Sequence, residues 1–396
     1  MSKVLIIGNG FDLYHGLPTR YSDFLFLAEN WDYFYDCYSN TNSIKKADEQ
    51  ICVRLKNGRM SIETLDDFIE HKYLMNEENI AYLNQHITSN TWIKYFIETK
   101  LKGNGWIDFE TEIDDVLHAI DYYFSALPDL MLKNNIPSMM VDSRIIKIFK
   151  SFISLTKDQF PNNYLGFVDF KEIEDSILLQ HRLYLIDKMK SELDDLIECL
   201  ALYFSEFILN IKCGYFSKQI LNLRDVHLLN FNYTYTYKAV YRNLRDDHHA
   251  IHGNCIEKDM VLGIPDDSFV DKLEYIYFKK YFQRIQKRTG STYKDWFNPI
   301  GSEYYEEKEI PDEIYIMGHS LANSDKGVLK DFFINSSIKK ITIYYHDQKS
   351  YENMIINLVE MFGQDYVIEK TGLGYIVFEK LGEARDIKAM QPLSLY

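Results

Sequence analysis

The amino-acid sequence predicts an α/β protein: a doubly wound, mostly parallel sheet that carries a large helical insertion. Three observations predict it. Short apolar runs ending at a glycine or an asparagine recur near both ends of the chain. Helical periodicity fills the middle. The final third alternates strand-like and helix-like segments, as βα units do.

The first run is Lys3 to Ile7, stopped by Gly8-Asn9-Gly10. An almost wholly apolar run of that length suits a strand covered on both faces, as in the centre of a parallel sheet. The second, Val226-His227-Leu228-Leu229, precedes Asn230, and the third, Glu313 to Met317, stops at Gly318. Lys340 to Tyr345 is rich in β-branched and aromatic residues and leads into a helical segment, Tyr351 to Phe362. Tyr375 to Phe378 reads as the last strand. Between the ends, Trp92 to Leu101, Ile113 to Leu127, Ser143 to Leu155 and the long stretch Ile177 to Ile211 repeat apolar residues every three or four positions. Glycine is scarce there, and no repeat or Ser/Gly linker interrupts. The expected organisation is a discontinuous α/β nucleotide-binding domain, 1–39 plus 222–396, with 40–221 as a helical insertion domain. The polar and aromatic stretch Asp267 to Pro311 reads as a smaller elaboration near the C-terminal strands.

Composition narrows the function classes. At roughly 100–200 residues per domain, 396 residues allow two or three domains. A hydrophobic content of 46% and an aromatic content of 15% exclude a mainly disordered chain. The 44 Lys+Arg against 59 Asp+Glu leave a net charge of −15, which argues against gripping nucleic-acid phosphates as the main task. No window reaches the ~18 uninterrupted apolar residues of a membrane span. The nearest approach, Leu196 to Ile211, is broken by Glu198 and Glu206. Met1-Ser2-Lys3 runs straight into the first strand without a signal-peptide pattern. The five cysteines (Cys37, Cys52, Cys199, Cys213, Cys255) are scattered and include no C-x-x-C, so neither a disulfide framework nor a cysteine zinc site is indicated. A cytoplasmic protein with no membrane partner and no metal is expected.

The chemistry-bearing motifs follow the strands. Gly8-Asn9-Gly10-Phe11-Asp12, then Gly16-Leu17-Pro18-Thr19, make a glycine-rich turn after the first strand. Such a turn lets backbone approach a pyrophosphate, and the following helix offers free N–H groups. Spacing alone fits a plain strand-to-helix turn equally well. It also resembles the sirtuin NAD-binding loop, on whose positions Gly8, Gly10, Phe11, Asp12, Gly16, Leu17 and Pro18 fall. More specifically, residues 8–24, GNGFDLYHGLPTRYSDF, resemble the opening of the AbiH-type phage abortive-infection family, which is itself similar to sirtuin-like NAD-binding folds. Asn230-Phe231-Asn232-Tyr233-Thr234 resembles the sirtuin motif after the second strand, and Asn232 falls on the asparagine that orders the ribose and the attacking water. Ala250-Ile251-His252-Gly253 resembles the His-Gly pair whose histidine acts on the nicotinamide ribose. Tyr315 to Leu321, with Asp325, resembles the late turn that closes over the adenosine side.

The resemblance implies a sirtuin-like Rossmann fold and NAD as ligand or substrate. It implies catalytic roles for Asn232 and His252, and dinucleotide binding by Gly8, Asn9, Gly10, Phe11, Asp12, Gly16, Pro18, Thr19, Gly318 and Ser320. Two departures stand out: Asp12 replaces the usual Ser or Thr, and Thr234 replaces the common Asp. The four-cysteine zinc module of protein deacetylases is missing, which disfavours deacylation and leaves hydrolysis of the nicotinamide–ribose bond. Loss of nicotinamide builds oxocarbenium character on the ribose. Neutral His252, with an ordinary pKa of about 6.5, is the expected base. The Asn232 amide offers both donor and acceptor, although Asn could equally cap the next helix.

The reading is therefore an antiphage effector that hydrolyses NAD, with a phage-derived trigger and homo-oligomerisation as expected controls. Two alternatives stay open. One is a module that senses NAD or ADP-ribose without turnover, which Asp12 and Thr234 favour. The other is a metal-dependent nuclease effector built on Asp108, Glu110 and Glu112. Plainer readings cover the remaining polar residues. His15 shapes the glycine loop, and His319 lies near the ligand. His248 and His249, after Asp246-Asp247, form a charged surface turn. The segment Trp106 to Glu110 resembles an AbiH stretch, and its acids suit a helix N-terminus. Lys279-Lys280, Arg284, Lys287-Arg288, Lys294 and Trp296 read as a solvated helix face.

Overall fold

The computed structural model describes residues 2–39, 75–102, 107–132, 143–160, 175–211, 213–223, 225–241, 247–297 and 310–386. Its strands are β1 (Ser2–Ile7), β2 (Tyr215–Phe216), β3 (His227–Asn230), β4 (His248–Ala250), β5 (Pro311–Met317), β6 (Lys340–Tyr345), β7 (Ile376–Lys380) and β8 (Arg385–Asp386). Six of them form one sheet in the order β4-β3-β1-β5-β6-β7, every neighbouring pair parallel. The short β2 and β8 pair separately and antiparallel.

Burial explains why β1 is apolar at four successive positions. Val4 and Ile6 point to one face and pack with Ile314, Ile316, Leu329 and Phe332. Leu5 and Ile7 point to the other and pack with Phe11, Leu228, Tyr237 and Met317. A strand with both faces covered has no polar side to alternate with. From β1 the chain builds outward through β3 and β4, then returns to place β5 on the opposite flank of β1. That reversal opens a crevice at the carboxyl ends of the strands, the usual ligand position in doubly wound sheets. Register keeps the three ends level: Ile7 pairs with Asn230 on one side and Met317 on the other.

The helices Glu77–His86, Thr91–Lys102, Phe109–Leu132, Ser143–Ile153 and Asp175–Leu202 occupy the middle of the chain. They share one apolar cluster with residues from both sides, including Phe24, Trp31 and Phe34 before them and Met260, Tyr275 and Phe278 after them. Asp175–Leu202 continues as a π-helical turn, Tyr203–Ile208, in which the Tyr203 hydroxyl donates to the Pro18 carbonyl at 2.6 Å. The helical layer is thereby bonded to the loop that follows β1. No helix among the described residues is long and apolar enough to cross a membrane.

One segment differs from its sequence reading. His248 and His249 are not a surface turn but the start of edge strand β4, paired with Leu228 and Leu229. His249 is buried, with Nδ1 2.9 Å from Thr292 Oγ1. A three-residue strand with two histidines has no period to read, and its partner is what defines it. The stretch from Asp267 forms 3-10 turns at Leu273–Phe278 and Thr292–Trp296 around a helix, Lys280–Lys287.

Candidate functional site

A cavity of about 620 Å³ opens where β1, β3 and β5 end. The loop after β1 supplies Gly8, Asn9, Gly10, Asp12 and Thr19; the turn after β3 supplies Asn232; the turn after β5 supplies Gly318 and Ser320; and His252 follows β4. Far-apart motifs thus converge on one space. Phe11, Gly16 and Pro18 are not among its lining residues. Phe11 is fully buried against Tyr237 and Tyr241, Gly16 lies at φ +86° beside the Tyr215 ring, and Pro18 holds Tyr203.

The glycines have a local reason to be glycines. Gly8 and Gly10 donate their N–H groups to Met317 O at 3.2 Å and Gly318 O at 2.8 Å, so the turns after β1 and β5 interlock. A Cβ on Gly8 would lie 2.7 Å from His319 Cα, and one on Gly10 would lie 2.9 Å from Gly318 Cα. Gly318 is the tightest: at φ +69° a Cβ would sit 2.0 Å from Phe11 N. Thr19 Oγ1 donates to Asn9 Oδ1 at 2.5 Å and ties the loop's far end back to its start. His15 is a buried fastener. Its Nδ1 lies 2.6 Å from Phe11 O, so that nitrogen carries the proton, and Nε2 accepts from the Tyr241 hydroxyl at 2.6 Å.

Asn230 builds the turn that presents Asn232. Its Oδ1 accepts from Asn232 N at 2.9 Å and its Nδ2 donates to Thr234 O at 2.9 Å. Asn232 itself is buried, yet neither amide atom makes a hydrogen bond of good geometry, and it caps no helix. Beside it, Thr234 Oγ1 donates to Asp12 Oδ2 at 2.6 Å, and Asp12 Oδ1 has no partner. Burial pushes the Asp12 carboxyl up to about 6, with the neighbouring Thr234, Thr236 and Asn232 pulling part of the way back. Asp12 and Thr234, from two separate turns, are therefore partners across one hydrogen bond. Thr234→Asp alone would set two carboxylates together in a buried position. We expect it to unfold or severely destabilise the protein, and Asp12→Thr added to it to recover most of the loss, read as a thermal-midpoint double-mutant cycle.

An ion cluster borders the cavity, with Glu110, Asp325, His252 and His319 on its lining and Lys280 behind them. Lys280 Nζ sits 2.7 Å from Glu110 Oε2 and 2.8 Å from Asp325 Oδ1, with its side chain only 1% exposed. His252 Nε2 is 3.3 Å from Asp325 Oδ1 but not aligned for a hydrogen bond. His319 Nδ1 accepts from Leu321 N at 2.9 Å, which places its proton on Nε2, 3.4 Å from Asp325 Oδ2. Burial, then the Lys280 ammonium, lowers the His252 pKa to about 4. His252 is accordingly a neutral ring at physiological pH, well below the near-neutral base expected from its ordinary value.

The reading of the basic stretch as a solvated face holds for Arg288 and Lys294, which are exposed, and fails elsewhere: Lys279, Lys280 and Trp296 are buried, Arg284 pairs with Asp266 at 3.0 Å, and Lys287 donates to Met260 O. The carboxylates Asp108, Glu110 and Glu112 diverge. Asp108 Oδ1 accepts from Glu110 N, as a helix cap does, and Glu112 turns to Tyr95 and Arg144. Only Glu110 joins the cluster, and Trp106 lies outside the described residues. Among the described residues, no three His, Cys, Asp or Glu side chains gather as metal ligands would.

A family model described as bacteriophage abortive infection AbiH matches residues 4–347, most of the chain. The chain belongs to the AbiH family. No curated protein matches it, and neither does any solved structure. The AbiH match runs from β1 to just beyond β6 and contains Gly8, Asp12, Glu110, Asn232, His252, Lys280, Gly318 and Asp325. Membership points to a role in phage abortive infection. Within this AbiH protein, sequence reasoning reads Lys280 as part of a solvated helix face, and Glu110 as a helix-terminal acid or one of three carboxylates for a metal. Their one signal is a lysine with no apolar-face reason to be buried, and that becomes visible only once Asp325 is beside it.

Proposed function

We propose that this AbiH protein binds NAD in the cavity and hydrolyses the nicotinamide–ribose bond, depriving an infected cell of NAD. One observation carries the reading. Asp12, Asn232 and His252, three buried side chains from three separate turns, each hold a polar atom without a hydrogen bond on the same cavity. Asn232 and Asp12 influence each other and His252 Nε2 lies 3.3 Å from Asp325, but none of these atoms is aligned in a hydrogen bond. A buried unsatisfied atom costs about 1–3 kcal/mol, which favours a ligand rich in hydroxyl and amide groups. The volume of about 620 Å³ lies within the range of small-molecule sites, and the sheet order, without the short β2, is that of dinucleotide-binding folds.

The residues divide the work by their chemistry. The Asn232 amide, able to donate and accept, orients the ribose and a water. His252, neutral at working pH, holds a ribose hydroxyl without adding positive charge beside a developing oxocarbenium centre. Asp12 and Thr234, the departures on which the sensing alternative rests, are joined by a hydrogen bond of 2.6 Å. The nuclease alternative loses its carboxylate cluster to the divergence of Asp108 and Glu112.

Purified protein incubated with NAD and no magnesium is expected to release nicotinamide, measured by chromatography. His252→Ala should slow the release by about 10²-fold or more with the thermal midpoint preserved. Tight NAD binding without release would favour the sensing module, and magnesium-dependent cleavage of nucleic acid the nuclease.

A further inference from the structure

We propose that Glu110, delivered by the helical layer, is the proton acceptor for the attacking water in this cavity; the inference rests on the NAD reading above. Glu110 is the first-turn residue of helix Phe109–Leu132, and its side chain, 13% exposed, lines the cavity beside Lys280.

The charge count makes it the proton-carrying group. One ammonium, Lys280, faces two carboxylates. Asp325 takes the larger share, because the imidazole edges of His252 and His319 also approach it, and it stays ionised well below the ordinary range. Glu110 has only Lys280 on its side. Asp325 and Asp108 oppose its charge, and the neighbouring Tyr21 and Tyr233 phenols, which line the cavity with it, add no positive charge. Burial dominates and lifts its carboxyl to about 7. His252, held near 4, cannot take a proton in that range, which leaves two raised carboxyls on the cavity: Asp12, at about 6 and already accepting from Thr234, and Glu110, which has an ammonium beside it.

The step balances without a co-reactant. A water oxygen bonds to C1′ of the ribose as the C1′–N bond breaks, and its electron pair goes to the ring nitrogen, neutralising the pyridinium. One water proton goes to the Glu110 carboxylate and later to solvent. The products are nicotinamide, ADP-ribose and that proton. Ionised Glu110 also leaves the cluster with one net negative charge, of the sign that favours a cationic transition state.

The test pairs turnover with a direct titration. In Glu110→Gln, nicotinamide release should fall by about 10²-fold or more with KM for NAD little changed, and the rise of kcat through neutral pH should vanish. Glu110→Asp, which keeps a carboxylate beside Lys280, should recover part of the rate and serves if the Gln variant does not fold. Glu112→Gln, altered outside the cavity, should match wild type. Independently, carbon-13 NMR of labelled glutamate carboxyls, assigned with these variants, should show Glu110 titrating near pH 7 in the protein without NAD. A Glu110→Gln enzyme with wild-type rate and pH profile overturns Glu110 and leaves NAD hydrolysis standing. No release from wild type overturns NAD hydrolysis, and the titration then decides: a midpoint near 7 supports Glu110 as the cavity's proton acceptor, and one in the ordinary carboxylate range overturns it.

Discussion

Replacing Asn232 with alanine is expected to suppress nicotinamide release by about 10²–10³-fold while leaving the protein as stable as wild type or slightly more so. The opposed signs follow from its bonding. The amide is buried with no aligned partner and exerts only the smallest of three pulls on the Asp12 carboxyl, so its truncation loses little attraction and relieves a desolvation cost of about 1–3 kcal/mol. A small void left behind offsets part of that relief. On the proposed reading, function is lost because the same donor and acceptor orient the ribose. Asn230, two residues earlier, makes the contrast. Its amide holds Asn232 N and Thr234 O, so Asn230→Ala should lower stability by about 1–3 kcal/mol. Nicotinamide release and thermal melts of the two variants check this. An Asn232→Ala protein that melts like Asn230→Ala, or that still turns over NAD, contradicts the assignment.

Lys280→Met should cost about 3–5 kcal/mol of stability at pH 7. It removes the one ammonium between Glu110 and Asp325 and leaves Asp325 buried without its main counter-charge. The loss should depend on pH in a definite sense. In wild type the Asp325 pKa is depressed, so its stabilisation is present above the unfolded carboxylate value and fades only as pH falls through the lower folded one. Without Lys280 that carboxyl is raised by burial instead, and the penalty grows as pH climbs from about 4. The gap between wild type and variant should thus be widest at neutral pH and narrow toward pH 4. Urea unfolding across that interval measures it. A gap that stays constant with pH would show that Lys280 acts through packing alone.

How much of the fold and site is legible in the sequence depends on the range of the forces involved. Strand β1 announces itself because burial on both faces forces four apolar residues in a row, and β5 and β6 follow with shorter runs of apolar, β-branched and aromatic residues. The long helices show because one face packs and the period repeats. Asn232 and His252 are legible through short motifs placed directly after strands, and the parallel order then brings those motifs to one crevice. What stays hidden is pairwise and distant. Nothing near Thr234 says that Asp12, on the first strand's loop, is its acceptor. Nothing near Lys280 says that two acids from remote segments surround it, so a buried lysine reads as one more surface charge. His249 escapes a sequence reading for the same reason, since an edge strand of three residues exists only through its neighbour.

The interlocked turns after β1 and β5 bear on how glycine-rich fingerprints are interpreted. Positions 8, 10 and 318 are closed to larger residues by steric exclusion between two loops before any phosphate is considered. A saturation-mutagenesis screen would therefore score these codons as intolerant whether or not the polypeptide ever meets a nucleotide, and low scores there would report chain collapse rather than ligand choice.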